Sequence, residues 1–112
     1  MKIAVVGSRG FNDYDYIANI LNNIEDITLI ISGGAPGADR LAELYADKNN
    51  INKLILKADW DKYGKSAGII RNKDIVDNAE YIIAFWDGVS KGTKNSIDRA
   101  KKANKKVLIF KV

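Results

Sequence analysis

The stretch "SGGAPGAD" at residues 32–39 sets three glycines, a proline and an aspartate between an apolar run and a segment with helical spacing. Gly33, Gly34 and Gly37 permit a sharp turn and a close approach of backbone N–H groups to a ligand, while Ala35 and Ala38 keep the helix entrance small. The first amides of a helix have no internal partner and favour phosphate or carboxylate, so this loop has the composition of an anion cradle. A tight strand-to-helix turn would use the same glycines. Asp39 either caps these amides or accepts from a ribose or base. We assign phosphate contact to the glycine amides and a gating or orienting role to Asp39.

A second entrance of this kind lies in "WDGVSKGT" at 86–93. Ser90 or Thr93 can cap the helix, and the Gly92 and Thr93 amides can bind an anion. Asp87 is a candidate hydroxyl acceptor or general base, with Trp86 beside it. Gly7, Ser8 and Arg9 follow the first apolar run, and Arg9 offers a planar fork suited to phosphate or carboxylate. The stretch "ADWDKYGKSAGIIRN" at 58–72 adds Trp60, which can stack on a base or cover the sheet edge, Arg71 for phosphate, and Asn72 for a sugar or base edge. Neither glycine loop ends in the Gly-Lys-Ser/Thr of a Walker A motif, and "GSRGF" departs from Gly-x-Gly-x-x-Gly.

These loops need a frame to bring them together. Five apolar runs rich in Ile and Val, at 2–6, 27–31, 53–58, 81–85 and 106–110, read as strands. Helical spacing fits 14–24, through Ile17, Ile20, Leu21 and Ile24, and 38–49, through Leu41, Leu44 and Tyr45. It also fits 67–78, through Ile69 or Ile70 and Val76, and 93–104, through Ile97 and Ala100, with Lys94, Lys101, Lys102 and Lys105 left to water. The alternation predicts one α/β domain over 1–112, a five-stranded, mostly parallel sheet with helices on both faces. Ligands of such sheets sit beyond the carboxyl ends of the strands, where all four distinctive loops lie.

Composition excludes several chemistries. With no cysteine and no histidine, thiolate nucleophiles, a histidine base and the usual zinc or iron ligands are absent. No metal or cofactor is expected, and catalysis would rest on Asp, Glu, Lys, Arg or Tyr. No signal-peptide pattern or membrane-length apolar run is present, so no membrane partner and a cytoplasmic location are expected. Residues 1–86 carry ten basic and twelve acidic side chains, and residues 87–112 carry eight and two, concentrating a charge of +6 in the last segment. That segment attracts nucleic acid or a small phosphorylated ligand, or serves as a solvated face.

The motifs "VVGSRGF", "ISGGAPGADRLAE", "ADWDKYGKSAGIIRN" and "IIAFWDGVSKGT", in this order, resemble the DUF2493 family of the SLOG superfamily, which also holds DprA-like and LOG, or lysine decarboxylase-like, proteins. The resemblance implies a Rossmann-like domain that binds or senses a nucleotide or nucleotide-derived ligand. LOG enzymes hydrolyse the N-glycosidic bond of nucleoside monophosphates with an arginine and a glutamate. Arg71 resembles that arginine, but Ser96 stands where the pattern has Glu. A phosphoribohydrolase would therefore need Asp87, or next Asp98, as its acid, with Arg71 on the phosphate. The DprA-like branch suggests a nucleic-acid-binding module instead, although the Lys-rich segment lacks interleaved aromatics to stack bases. SLOG relatives also imply a homo-oligomer, with Trp60, Tyr63 and Trp86 as interface anchors.

Overall fold

The computed structural model describes residues 1–112. Strands β1 (Lys2–Gly7), β2 (Leu29–Ser32), β3 (Asn52–Ile55), β4 (Tyr81–Trp86) and β5 (Lys106–Lys111) form one sheet in the order β3-β2-β1-β4-β5. Every pairing is parallel. The runs "IAVV" and "IIAF" are continuous because β1 and β4 are covered on both faces; the edge strands β3 and β5 tolerate lysines for the opposite reason.

Parallel neighbours require crossovers, and the helices supply them. On one face α1 (Tyr14–Asn22) and α2 (Ala38–Lys48) pack Ile17, Leu21, Ala42 and Tyr45 on Ile3, Val5, Ile30 and Phe85. On the other, α4 (Ala67–Asn78) and α5 (Lys91–Lys102) pack Ile75, Val76, Ile97 and Ala100 on Ala4, Val6, Ile31, Ile82 and Ala84. The residue-level expectations shift in places. Leu44 and Ile69 are 40% and 50% exposed, while the small Ala42 and Ala46 let α2 lie close to the sheet. Lys105 is not left to water: its Nζ donates to the carbonyls of Val76, Asp77 and Ala79 and closes the end of α4.

The loop after β3 contains a short helix, α3 (Trp60–Tyr63), and a 3-10 turn (Gly64–Ser66) that the periodicity did not reveal. Asp59 starts α3 by accepting the Lys62 N–H at 3.1 Å. Four residues are too few to show a helical period, so only the capping aspartate marked it.

Strand order reverses between β1 and β4, whose register ends with Gly7 opposite Phe85. Loops leaving these two strands diverge to opposite faces and open a crevice. That crevice is where the expected site residues converge.

Candidate functional site

A cavity of about 400 Å³ lies beyond the carboxyl ends of β1 and β4. Gly7, Arg9 and Gly10 reach it from the loop after β1, Ala35 and Asp39 from the β2–α2 junction, Arg71, Asn72 and Ile75 from α4, and Asp87, Ser90, Gly92, Thr93 and Ser96 from the β4–α5 junction. Its volume suits a small molecule. Only Val6, Ala35 and Ile75 are apolar, so it suits a polar one.

Arg71 is fixed from two sides. Its Nε donates to Asn72 Oδ1 at 3.1 Å and its Nη1 donates to the Gly33 carbonyl at 2.7 Å, leaving the remaining guanidinium N–H groups with no acceptor in the chain. Burial lowers its pKa, with the Asp39 charge opposing that shift and the nearby Arg9 adding to it. The protein's ion pairs within 4 Å are Lys53–Asp47, Lys73–Asp77 and Lys94–Asp98, so neither Arg9 nor Arg71 is paired with a carboxylate. Two guanidinium groups therefore share one cavity without a counter-ion in contact.

The first glycine loop differs from the expectation. The Gly33 and Ala35 amides, expected to hold phosphate, donate to Asp39 Oδ2 at 2.9 and 3.4 Å, and the Gly34 amide donates to Ser32 Oγ at 3.4 Å. Asp39 is 5% exposed, and a buried carboxylate needs such donors. Burial nevertheless dominates and pushes its pKa up to about 6, against the lowering effects of the Ala35 and Gly33 amides and Arg71. Gly33 is required for packing: a Cβ there would meet the Arg71 guanidinium and the Asp39 carboxylate. Gly37 adopts φ +84°, and a Cβ would strike the Ser8 and Arg9 carbonyls, which is how the first two loops come into contact.

The second glycine loop gives its Val89 and Ser90 amides to Asp87 but keeps the donors expected of it, those of Gly92 and Thr93. Ser90 occupies the N-cap position of α5 without a side-chain bond to the helix amides, its hydroxyl lying 3.2 Å from that of Thr93. Gly92 and Thr93 line the cavity at the first turn of α5, where helix amides lack internal partners. The helix start with amides left open toward the cavity is that of α5, whereas the amides of the glycine loop before α2 are engaged by Asp39 and Ser32.

Several expected ligand contacts serve the scaffold. Ser8, 5% exposed, accepts the Asp87 N–H on Oγ at 3.0 Å, while its own N–H donates to the Phe85 carbonyl at 2.9 Å. These bonds tie the two loops at the strand-order reversal. Asn72 is 7% exposed and its amide is committed: Oδ1 accepts from Arg71, and Nδ2 donates to the Gly92 carbonyl and Asn95 Oδ1 at 3.3 and 3.2 Å. It holds Arg71 and the α5 entrance, with both Nδ2 protons engaged and one lone pair of Oδ1 left toward the cavity it lines. Asp87 Oδ1 accepts from the Val89 and Ser90 amides at 2.9 and 2.8 Å, which holds its pKa below the usual carboxylate range. That is the wrong direction for a proton donor near neutral pH.

Neither tryptophan lines the cavity. Trp60 is 56% exposed on α3, and Trp86 donates from Nε1 to the Ser90 carbonyl at 3.0 Å, bracing the loop. Asp98 pairs with Lys94 on the solvent side of α5, outside the cavity. Ser96, the residue standing at the glutamate position, does line it. The sequence reading did not select Gly10, Asn95 or the apolar floor of Val6 and Ile75; for Asn95, its position one helical turn before Arg99 was the only signal. No group of three or more carboxylates gathers to hold a metal ion, and no helix is long and apolar enough to cross a membrane.

Comparison with known proteins agrees with this architecture. DNA processing protein A (DprA) from Streptococcus pneumoniae superposes with a TM-score of 0.81 at 21% identity over 96% of this chain. DNA processing protein A from Helicobacter pylori, described for its single-stranded DNA binding mode, gives 0.78 at 19% over 97%. This chain spans 49% and 64% of those two chains, and the likeness is one of fold. Gene 61 protein of Mycobacterium phage D29 is 32% identical over 119 residues, covering 97% of this chain and 95% of that protein. The model of the YAcAr family matches residues 1–63. The SLOG resemblance read from the motifs is thereby borne out: this chain belongs to the YspA, cpYpsA-related SLOG family.

Proposed function

We propose that the cavity at the β1/β4 crevice binds a phosphorylated, nucleotide-derived small molecule, and that the protein acts as a binding or sensing module. The observation that carries this reading is the convergence of Arg9, Arg71 and the uncapped first turn of α5 on one cavity, with neither arginine in an ion pair. A guanidinium fork and unpartnered helix amides both bind phosphate well. Arg71, held by Asn72 and the Gly33 carbonyl, is preorganised for it. The single-stranded DNA binding described for the Helicobacter DprA supports a phosphate-bearing ligand class.

The phosphoribohydrolase reading is weaker. It needs a carboxyl group able to exchange a proton, whereas Asp87 is stabilised in its ionised form by its own loop and Asp98 lies outside the cavity. A homo-oligomer, if formed, would use the exposed Trp60 and Tyr63, since Trp86 is engaged within its own loop. Light scattering across a concentration series reads it.

Calorimetric titration with nucleoside monophosphates, ADP-ribose, NAD and cyclic nucleotides tests the main reading, with chromatography following free-base release on the same samples. Binding without release is expected. Release that disappears in Asp87→Asn would establish the hydrolase instead, and failure of the whole panel to bind the folded protein would reject both.

A further inference from the structure

A second concave surface lies away from the rim, in the seam between α4 and α5. It is a groove of about 250 Å³ lined by Lys73, Val76, Asp77, Arg99, Lys102 and Ala103. We propose that this groove binds the phosphate backbone of nucleic acid, as a site separate from the rim cavity.

Three of its six lining residues are cationic and one is anionic. Asp77 is paired with Lys73 at 2.8 Å, but both are more than half exposed, and such pairs contribute little and exchange readily. Lys102 and Arg99 have no carboxylate within 4 Å. Arg99 is oriented: its Nε donates to Asn95 Oδ1 at 3.2 Å, leaving its terminal N–H groups without an acceptor in the chain. The carboxyl end of α4, which would repel a phosphate, is neutralised by Lys105 on its last carbonyls. The segment that supplies Arg99, Lys102 and Lys105 carries a net charge of +6.

Shape and chemistry select the partner. From Arg99 to Ala103 the groove follows α5 for about 6 Å at 1.5 Å per residue, room for about two phosphates. No aromatic side chain lines it, so it would hold backbone without stacking bases or reading sequence. A membrane surface fits less well, because Val76 and Ala103 are the only apolar lining residues and surface-bound helices need an apolar face to insert. The groove also joins the rim physically. Asn95 Oδ1 accepts from both Arg99 Nε and Asn72 Nδ2, and Asn72 Oδ1 accepts from Arg71 Nε, so two asparagines hold the guanidinium groups of both surfaces.

The test is fluorescence anisotropy of labelled single- and double-stranded oligonucleotides with the full chain, across a salt series. Two phosphate contacts predict a log–log salt slope of about −1.4 for a single strand, at about 0.7 per contact. Lys102→Glu should weaken binding by about tenfold and flatten the slope, whereas Lys101→Glu, the same charge change on an exposed neighbour outside the groove, should have less than about a third of that effect. Far-UV circular dichroism checks that both variants fold. Equal losses for the two variants would make the effect one of net charge and overturn the groove assignment. So would binding to anionic phospholipid vesicles in preference to oligonucleotide, or the absence of oligonucleotide binding at low salt. The rim reading fails separately: calorimetry with AMP and ADP-ribose reports on Arg71 and is expected to be unchanged in Lys102→Glu.

Discussion

The Asp39 carboxylate accepts the Gly33 N–H at 2.9 Å while only 5% exposed, so the loop that reads as a phosphate cradle already holds an anion of the chain's own. Burial raises its pKa from 3.8 to about 6. Above pH 6 it is ionised both folded and unfolded, and its desolvation penalty is fully present. Between about 6 and 4 the native state takes up the proton first, so acidification relieves the penalty. The stability of the wild type relative to Asp39→Asn should therefore grow on going from pH 7 to pH 4, by up to about 3 kcal/mol for a shift of about two units. Urea melts across this range check it. A relative stability that falls on acidification would mean that the amides, and not burial, dominate at Asp39.

The two glycine loops should respond differently to a methyl group. At Gly37 a Cβ combines a left-handed φ with collision against the Ser8 and Arg9 carbonyls, so Gly37→Ala should destabilise by about 2 kcal/mol or more. At Gly92 a Cβ meets nothing within 4 Å, and the residue lies in the first turn of α5. Gly92→Ala should leave thermal stability unchanged or raise it by up to about 1 kcal/mol. Equal destabilisation of the two would contradict the packing described for the first loop.

Ser8→Ala should act on stability. The Asp87 N–H loses its acceptor at a 5% exposed position, which costs about 1–2 kcal/mol. Thermal denaturation reads the loss. If stability is unchanged while ligand affinity collapses, Ser8 contacts the ligand directly and its role as a tie between the loops is wrong.

Much of this was legible in the sequence because local pattern and tertiary demand coincide. The Ile/Val runs are strands since both faces of β1 and β4 are covered, and the alternation with helices favours the parallel crossovers that every strand pair adopts. Arg9, Arg71, Gly92 and Thr93, singled out as residue types suited to an anion, do line one cavity. Other features depend on contacts distant in sequence. Capping of the loop amides by Asp39 was one of two readings that local pattern left open, and only the fold decides that it turns back onto Gly33 and Ala35; nothing local says that Asn72 engages Asn95 across two helices. Exposure of Trp60 and the internal bond of Trp86 follow from loop paths that no periodicity encodes.

The central claim is that Arg71 is the preorganised phosphate ligand of the rim cavity, and titration of AMP and ADP-ribose into wild type, Arg71→Ala and Arg71→Lys by calorimetry tests it most directly. Charge-assisted hydrogen bonds contribute about 1.5–3 kcal/mol, so Arg71→Ala should weaken the bound ligand by roughly 10- to 150-fold. Arg71→Lys should recover only part of this, since a lysine lacks the Nε that Asn72 holds. An affinity unchanged in Arg71→Ala, in a protein whose fold and melting temperature match the wild type, would contradict the account.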